Sequence, residues 1–472
     1  MNMKTYNLIT VLLLTSLLSA AQTVTQRLDK AVKLLQQDAQ MKHAMMSLYV
    51  VETATGKPVY ALNEQLGLAP ASTQKLFTSV AVFELLGKDF KYKTEVGYDG
   101  NISNGILKGN IYIVGYGDPT LGSWRFVQTK RDSVLKNILI TLNNAGIKKI
   151  DGDIIMDDSK FSYQPLPGGW IWDDIGNYYG AGTWAINWNE NQYDLLLKPG
   201  IKEGDDVEII GKDPSMNSFT LTNLLKSGRP GSGDNGYIYL PPYSQDGFVE
   251  GTVPAGEKSF KLSGSTPYPA MQFGAELQNF LIKNNLSNKG GIRLPVDLVN
   301  DVKVTPTNRI LLTTLSSPSL DSMVYWFLQK SINLYGEALI KTIAYKSDSI
   351  ASTEKGVDLL RNFWSKNGIE RSAINIVDGS GLSPQNRVTT NALVTVLQFA
   401  KDKSWYNSFY NALPTYNGMH MKSGTIGGAK AYAGYHTSKA GVQYTFAIII
   451  NNYDSEAGSI VPKMFKVLDE LK

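Results

Sequence analysis

The stretch GLAPASTQKLFTSVAVFELLG, residues 67–87, decides how the rest of the chain is read. Pro70 ends an irregular run. From Ser72 the apolar residues Leu76, Phe77, Val80, Phe83 and Leu86 recur at helical spacing until Gly87 stops the pattern. The spacing predicts a buried helix that starts at Ser72. Residues three apart share one helix face, so Lys75 can turn its amine toward the Ser72 hydroxyl. A serine is a poor nucleophile at neutral pH without a base. A lysine becomes that base when burial, a second cation or the positive end of a helix lowers its pKa. The competing reading is a serine that only caps a helix. SxxK occurs three times, at Ser72/Lys75, Ser133/Lys136 and Ser352/Lys355. Ser352, in the polar run DSIASTEKG, fits a cap, and Ser133, in the charged run QTKRDSVLKN, fits an exposed site. Only Ser72 opens a strongly apolar helix.

Outward from this helix, residues 45–63 predict a β-hairpin, two β-rich runs about a turn at Thr55-Gly56-Lys57-Pro58. From about 93 to 305, alternating runs such as ILKGNIYIVG, DGDIIMDD, NQYDLLLKP and DDVEIIG predict strands between Gly, Asn, Asp and Pro turns. Residues 226–236, KSGRPGSGDNG, read as an exposed loop. Trp170, Trp172, Trp184 and Trp188 fall close together, and packing is favoured over a sugar-stacking surface. Beyond about 306, SLDSMVYWFLQK, NLYGEALIKTIAYKS and STEKGVDLLRNFWSKNG are amphipathic helical runs. Two strand runs, AKAYAGYHTS and VQYTFAIIINNY, and a closing helix, SIVPKMFKVLDELK, follow. This order predicts one α/β domain, residues 22–92 with 306–472, split by a β-rich insert over 93–305 that forms two small domains. Residues 1–21 read as an export signal: Lys4, an apolar run too short to span a bilayer, then Ser19-Ala20-Ala21, with the mature chain expected from Gln22.

Composition narrows the chemistry. The 472 residues are 43% hydrophobic and 19% charged, with a net charge of +4 and no basic stripe for nucleic acid. There is no cysteine, hence no disulfide and no thiol for lipid attachment. The three histidines, His43, His420 and His436, fit no HExxH pattern, and neither a GxSxG elbow nor a Walker loop occurs. Two other short motifs carry suitable groups. Ser331-Ile332-Asn333 falls between two predicted helices, where the hydroxyl can relay a proton and the amide can hold a peptide backbone; SxN also occurs at Ser215/Asn217 and Ser365/Asn367. Lys422-Ser423-Gly424 opens a strand run, where a cation and a hydroxyl can bind a carboxylate and glycine permits close approach. A second copy, Lys226-Ser227-Gly228, falls in the expected loop.

The order SxxK, SxN, K-[ST]-G resembles the serine penicillin-recognising enzymes. More than half of the chain separates Ser72 from Ser331, and less than a fifth separates Ser331 from Lys422. With PASTQKLFTSVAVFELLG, GYGDPTL at 115–121, GGWIWDD at 168–174, INLYGEALIKT at 332–342 and DGSGLSPQNRVT at 378–389, the chain resembles the D-Ala-D-Ala carboxypeptidase/endopeptidase family of low-molecular-mass class C penicillin-binding proteins. The resemblance implies a β-lactamase/transpeptidase-like fold with an antiparallel sheet and helices, no metal or organic cofactor, peptidoglycan stem peptides as substrates in the cell envelope, and β-lactams as covalent inhibitors. It implies that Ser72 is the nucleophile and Lys75 its base. Ser331 with Lys422 would pass a proton to the leaving amine, and Asn333 would bind the peptide backbone. Lys422 and Ser423 would hold the terminal carboxylate beside Gly424, and the N–H groups of Ser72 and Thr425 would form the oxyanion hole. KSG stands where KTG is common in the family. Pro384 stands where a basic residue often follows Gly-Leu-Ser, with Arg387 its expected substitute. Asp173 or Asp174 is the expected acid beside the amino-bearing substrate side chain. Other readings are a non-catalytic muropeptide or β-lactam sensor on this fold, and a β-lactamase or esterase. A labelled penicillin that failed to acylate Ser72, or one that turned over fast, would favour them respectively.

Overall fold

The computed structural model describes residues 22–216, 218–296, 308–348 and 351–472. The expected export signal, Asn217 and the expected end of the insert near 305 lie outside the described residues. Helix α1 (Val24–Gln36) starts at a capping box, with Gln26 N donating to Thr23 Oγ1 at 3.3 Å and Thr23 N to Gln26 Oε1 at 3.0 Å. Strands β1 (Met45–Glu52) and β2 (Pro58–Leu62) form the expected hairpin. Helix α2 (Lys75–Leu86) begins three residues later than the sequence predicts, because Ala71–Gln74 tightens into a single 3₁₀ turn ahead of it. Ser72 sits in that turn rather than at an α-helical N-cap, and no side chain caps it. Every residue from Lys75 to Phe83 is buried, the polar Lys75, Thr78 and Ser79 included, so the helix is enclosed on all sides.

The insert follows. Strands β3 (Lys93–Tyr98), β4 (Ile111–Gly115) and β5 (Ile154–Asp157) form a sheet edged by the short strand Ile292–Arg293 and, beside β3, by β6 (Ile310–Ser316). Helices α3 (Arg131–Asn144) and α4 (Pro269–Lys283) pack into its core. The expected β-rich texture is therefore interrupted by two long helices. In α3 the buried Val134, Leu135, Ile138 and Leu142 recur at helical period, a pattern that the neighbouring strand runs obscure. A second core of the insert lies where two three-stranded sheets meet around Tyr193, Leu195, Leu225, Ile238, Val249 and Leu262. Lys226-Ser227-Gly228 is not in an exposed loop; it ends the strand Thr220–Gly228, where Ser227 is buried and accepts from Gly200 N at 2.8 Å. β6 pairs with β3 along its whole length, so the inserted sheet extends past the boundary expected at 306.

The remaining elements are helices α5 (Leu320–Gln329), α6 (Asn333–Ser347), α7 (Thr353–Lys366), α8 (Thr390–Lys401) and α9 (Tyr406–Ala412), strands β7 (Met419–Ile426), β8 (Ala429–Thr437) and β9 (Gln443–Asn451), and helix α10 (Val461–Leu468). They close an antiparallel sheet in the order β2, β1, β9, β8, β7, then the short strand Thr415–Tyr416. Helices α2 and α5–α8 fill one face, and α1 with α10 covers the other. The central β9 is buried on both faces, which is why it reads AIII rather than alternating. This is the α/β fold with an antiparallel sheet that the motifs imply. Among the four clustered tryptophans, Trp170, Trp184 and Trp188 pack, Trp188 stacking on Phe273 at 4.1 Å, while Trp172 is half exposed.

Candidate active site

The site begins with the tight turn. Ala71 takes φ +46°, a conformation disfavoured for residues with a Cβ, and the turn is held against strand β7 and the loop 378–383. A Cβ on Gly424 would stand 2.5 Å from Pro70 O and 2.9 Å from Ser72 N, so only glycine lets β7 pass this close to the nucleophile's backbone. Lys75, fully buried, extends under the turn. Its Nζ lies 2.9 Å from Ser72 Oγ, 2.6 Å from Asn333 Oδ1 and 2.7 Å from Ser380 O. Burial, then the nearby Lys422 cation, holds this amine well below its usual pKa, opposed by Asp378 and Glu337. A neutral amine has two N–H groups and one lone pair. With Asn333 Oδ1 and Ser380 O accepting two N–H groups, the neutral form of the amine keeps its lone pair for the Ser72 hydroxyl.

Asn333 opens α6 and is fixed at both ends, since its Nδ2 donates to Tyr179 O of the insert at 2.8 Å. Ser331 precedes it at φ +57°, a strained position in the α5–α6 connection. Lys422 is 1% exposed and donates to Ser423 O at 3.0 Å. Burial and the Lys430 cation bring its pKa down to about 7. Ser72, Ser331, Asn333, Thr425, Asp173 and Asp174 line one cavity of about 950 Å³, walled on one side by the insert. Burial, then the neighbouring Asp173, raises the Asp174 carboxyl to about 6, and Asp173 accepts from Tyr239 Oη at 3.3 Å.

Five expected residues do not themselves line this cavity: Lys75, Lys422, Ser423, Gly424 and Arg387. Ser423 does not line the cavity; Thr425, two residues along, does, and accepts from Lys430 Nζ at 2.6 Å. Arg387 is not at the cavity either: its Nη1 donates to Pro384 O at 2.6 Å and Asn386 O at 2.8 Å, which folds the guanidinium back on its own loop.

The structure also adds residues to which the sequence assigned no role. Asp378, fully buried, accepts from Gln74 Nε2, Gly381 N and Asn386 Nδ2 on one oxygen and from Ser383 N and Trp170 Nε1 on the other. It thereby ties the nucleophile turn, the insert and the loop that presents Ser380 O to Lys75. An aspartate ahead of Gly-Ser-Gly is a turn signal whose side chain binds nearby backbone N–H groups, so a structural role was open to inspection. Glu337, one turn after Asn333, accepts from Gly379 N at 3.1 Å through either oxygen; burial and Asp378 raise its pKa to about 8. Ser352, by contrast, is an ordinary cap, accepting from Lys355 N at 3.2 Å.

A serine hydroxyl on a buried, pKa-depressed lysine, in a cleft between an antiparallel sheet and a helical region, defines a serine hydrolase of the penicillin-recognising fold. The chain matches the model of the D-Ala-D-Ala carboxypeptidase 3 (S13) family over residues 26–470, and it belongs to that family. It is 25% identical over 452 residues to a D-alanyl-D-alanine carboxypeptidase of Actinomadura sp. (strain R39), which covers 89% of this chain and 80% of the relative. It is 26% identical over 407 residues to the carboxypeptidase DacB of Haemophilus influenzae, covering 82% of this chain and 81% of that one. The crystal structure of penicillin-binding protein 4 (dacB) from Haemophilus influenzae shares the fold, with a TM-score of 0.77, 24% identity, and coverage of 93% of this chain and 97% of that one.

Proposed function

We propose that the protein is a serine DD-peptidase that cleaves D-Ala-D-Ala termini and D-Ala–meso-diaminopimelate cross-links of peptidoglycan stem peptides through an acyl-enzyme on Ser72. The observation that carries this reading is the 2.9 Å contact between Lys75 Nζ and Ser72 Oγ, with the other two contacts of the amine fixed. Lys75 takes the hydroxyl proton as Ser72 Oγ bonds to the scissile carbonyl carbon, and the protonated amine then has three N–H groups for its three oxygen neighbours. The N–H groups of Ser72 and Thr425 receive the oxyanion where β7 passes the turn. As the C–N bond breaks, Ser331 gives its proton to the leaving amine and takes up the one held by Lys75, which returns to its neutral form with the Lys422 cation nearby. Water then hydrolyses the ester and returns Ser72. Lys422 as a cation, with Thr425, holds the terminal carboxylate. Asp173 and Asp174 face the same cavity and suit an ammonium on the substrate side chain. β-Lactams acylate the same oxygen, and the place of action is the cell envelope after export. Incubation with purified muropeptides, followed by mass, tests the reading: monomers lose one alanine, cross-linked dimers split, and Ser72→Ala does neither. Intact muropeptides with active wild-type folding would end it.

A further inference from the structure

The cavity wall formed by the insert holds a guanidinium that the mechanism above does not use. Arg125 lines the cavity with Ser72 and Ser331, and its Nε donates to Glu190 Oε1 at 2.8 Å. Glu190 is buried, and the same oxygen accepts from Ser123 Oγ at 2.7 Å and Tyr335 Oη at 2.9 Å. The arginine's Cζ lies 5.2 Å from the ring centroid of Trp124 and 5.2 Å from that of Trp326, so its plane is steadied by two aromatic neighbours. Among the described residues, nothing accepts a hydrogen bond from Nη1 or Nη2. The fork is thus fixed at its root and open at its tip.

The backbone that delivers Glu190 is strained. Asn189, Glu190 and Asn191 take φ of +54°, +52° and +52° in succession. Left-handed backbone is disfavoured for a residue with a Cβ, more for glutamate than for asparagine. The turn is held by Trp188 N donating to Asn191 Oδ1 at 2.9 Å and by Asn191 Nδ2 donating to Gly182 O at 2.9 Å and Asn187 Oδ1 at 2.8 Å. Strain persists where the surroundings over-determine it, and such places concentrate at ligand sites. A bond from insert to helix α6 needs only Glu190 and Tyr335. It does not need a cavity-lining guanidinium with two unused amino groups.

We propose that Arg125 is a substrate subsite: its two Nη groups bind, in bidentate fashion, an internal carboxylate of the stem peptide, distinct from the terminal carboxylate held near Lys422 and Thr425. This proposal rests on the DD-peptidase reading. An Nε-anchored fork matches the planar geometry of a carboxylate better than the ammonium of Lys330, an exposed residue that also lines the cavity and is a point charge. The neutral Arg125–Glu190 pair leaves room for a bound anion without a large excess of positive charge.

The test uses two synthetic peptides that end in D-Ala-D-Ala and differ only in having their internal carboxylate free or amidated. For wild type, kcat/KM is expected to favour the free acid by roughly 10- to 100-fold, the equivalent of a charge-assisted bidentate contact. In the Arg125→Met/Glu190→Gln double variant, which leaves no lone buried charge, that preference is expected to fall toward unity, mostly through KM, while penicillin still acylates Ser72. Arg125→Lys should retain only part of the preference. A wild type that cleaves acid and amide equally, or a double variant that keeps the full preference, overturns the subsite alone. A double variant that loses both peptides and penicillin acylation in equal measure assigns Arg125 to structure and also overturns it. A wild type that releases D-alanine from neither peptide fails the DD-peptidase reading itself.

Discussion

Around Ser72, each polar contact has a consequence that one substitution can expose. Asn333 takes one of the two N–H groups of the Lys75 amine, so Asn333→Ala frees that amine to rotate its lone pair away from the hydroxyl. Penicillin acylation of the variant is expected to slow by about 10²-fold, the lower end of what a positioned base contributes. Lys422, with its pKa brought down to about 7, gives the pH profile its alkaline side. The peptidase reaction needs Lys75 neutral and Lys422 charged. kcat/KM for a peptide ending in a free carboxylate should therefore rise as Lys75 loses its proton and fall through about pH 7 as Lys422 loses its own. Lys422→Arg, which keeps its charge, should remove the alkaline fall; a fall that stays in place would assign it to another group. Glu337 acts on stability with a definite sign. Its carboxyl is raised from an ordinary 4.5 to about 8, so between those values the folded state binds more protons than the unfolded one, and stability declines as pH rises. Glu337→Gln removes that decline. Melting curves should show the variant gaining on wild type from pH 5 to pH 9, with the gap widest above 8.

Between elements, contact distance is set by the smallest side chains. Gly424 brings β7 against the nucleophile turn, and a methyl there would meet Pro70 O at 2.5 Å. Gly424→Ala is expected to push the strand outward and misplace Thr425 relative to Ser72, lowering acylation by on the order of 10²-fold, with a loss of about 1–3 kcal/mol in folding stability. Normal acylation kinetics in that variant would show that strand and turn are not coupled as described. The legibility of these elements in the sequence was uneven. Hairpin β1–β2 and helices α5, α6 and α7 were visible because their apolar periods are undiluted. Helix α3 was not, because its apolar positions lie among short strands of similar composition. The 3₁₀ turn at Ala71–Gln74 was not, because hydrogen bonding to the third rather than the fourth residue leaves no mark on side-chain type. Ser72, Lys75 and Asn333 could be read from motif and order. The Ser380 carbonyl could not, because any residue supplies a carbonyl and only the fold aims it. Arg387 was expected at the site through the resemblance alone, and its loop folds the guanidinium back onto Pro384 O and Asn386 O.

At the scale of the whole molecule, the insert is wired into the reaction centre rather than appended to it. Tyr179 O receives Asn333 Nδ2, and Trp170 Nε1 donates to Asp378 at 3.0 Å. Trp170→Phe removes one hydrogen bond to a buried carboxylate. It is expected to cost about 1.5–3 kcal/mol of stability and to slow acylation as the 378–383 loop loosens; unchanged melting and unchanged penicillin kinetics together would show the insert to be a separate module. The sheet order adds a longer reach. β1, near the start of the chain, is hydrogen-bonded to β9, near its end, and the lysine motif of β7 lies two strands beyond β9. β9 joins β1 to β8 and so holds the two halves of the sheet together. A chain cut ahead of Gln443, which removes β9 and helix α10 together, should be chemically inert toward penicillin.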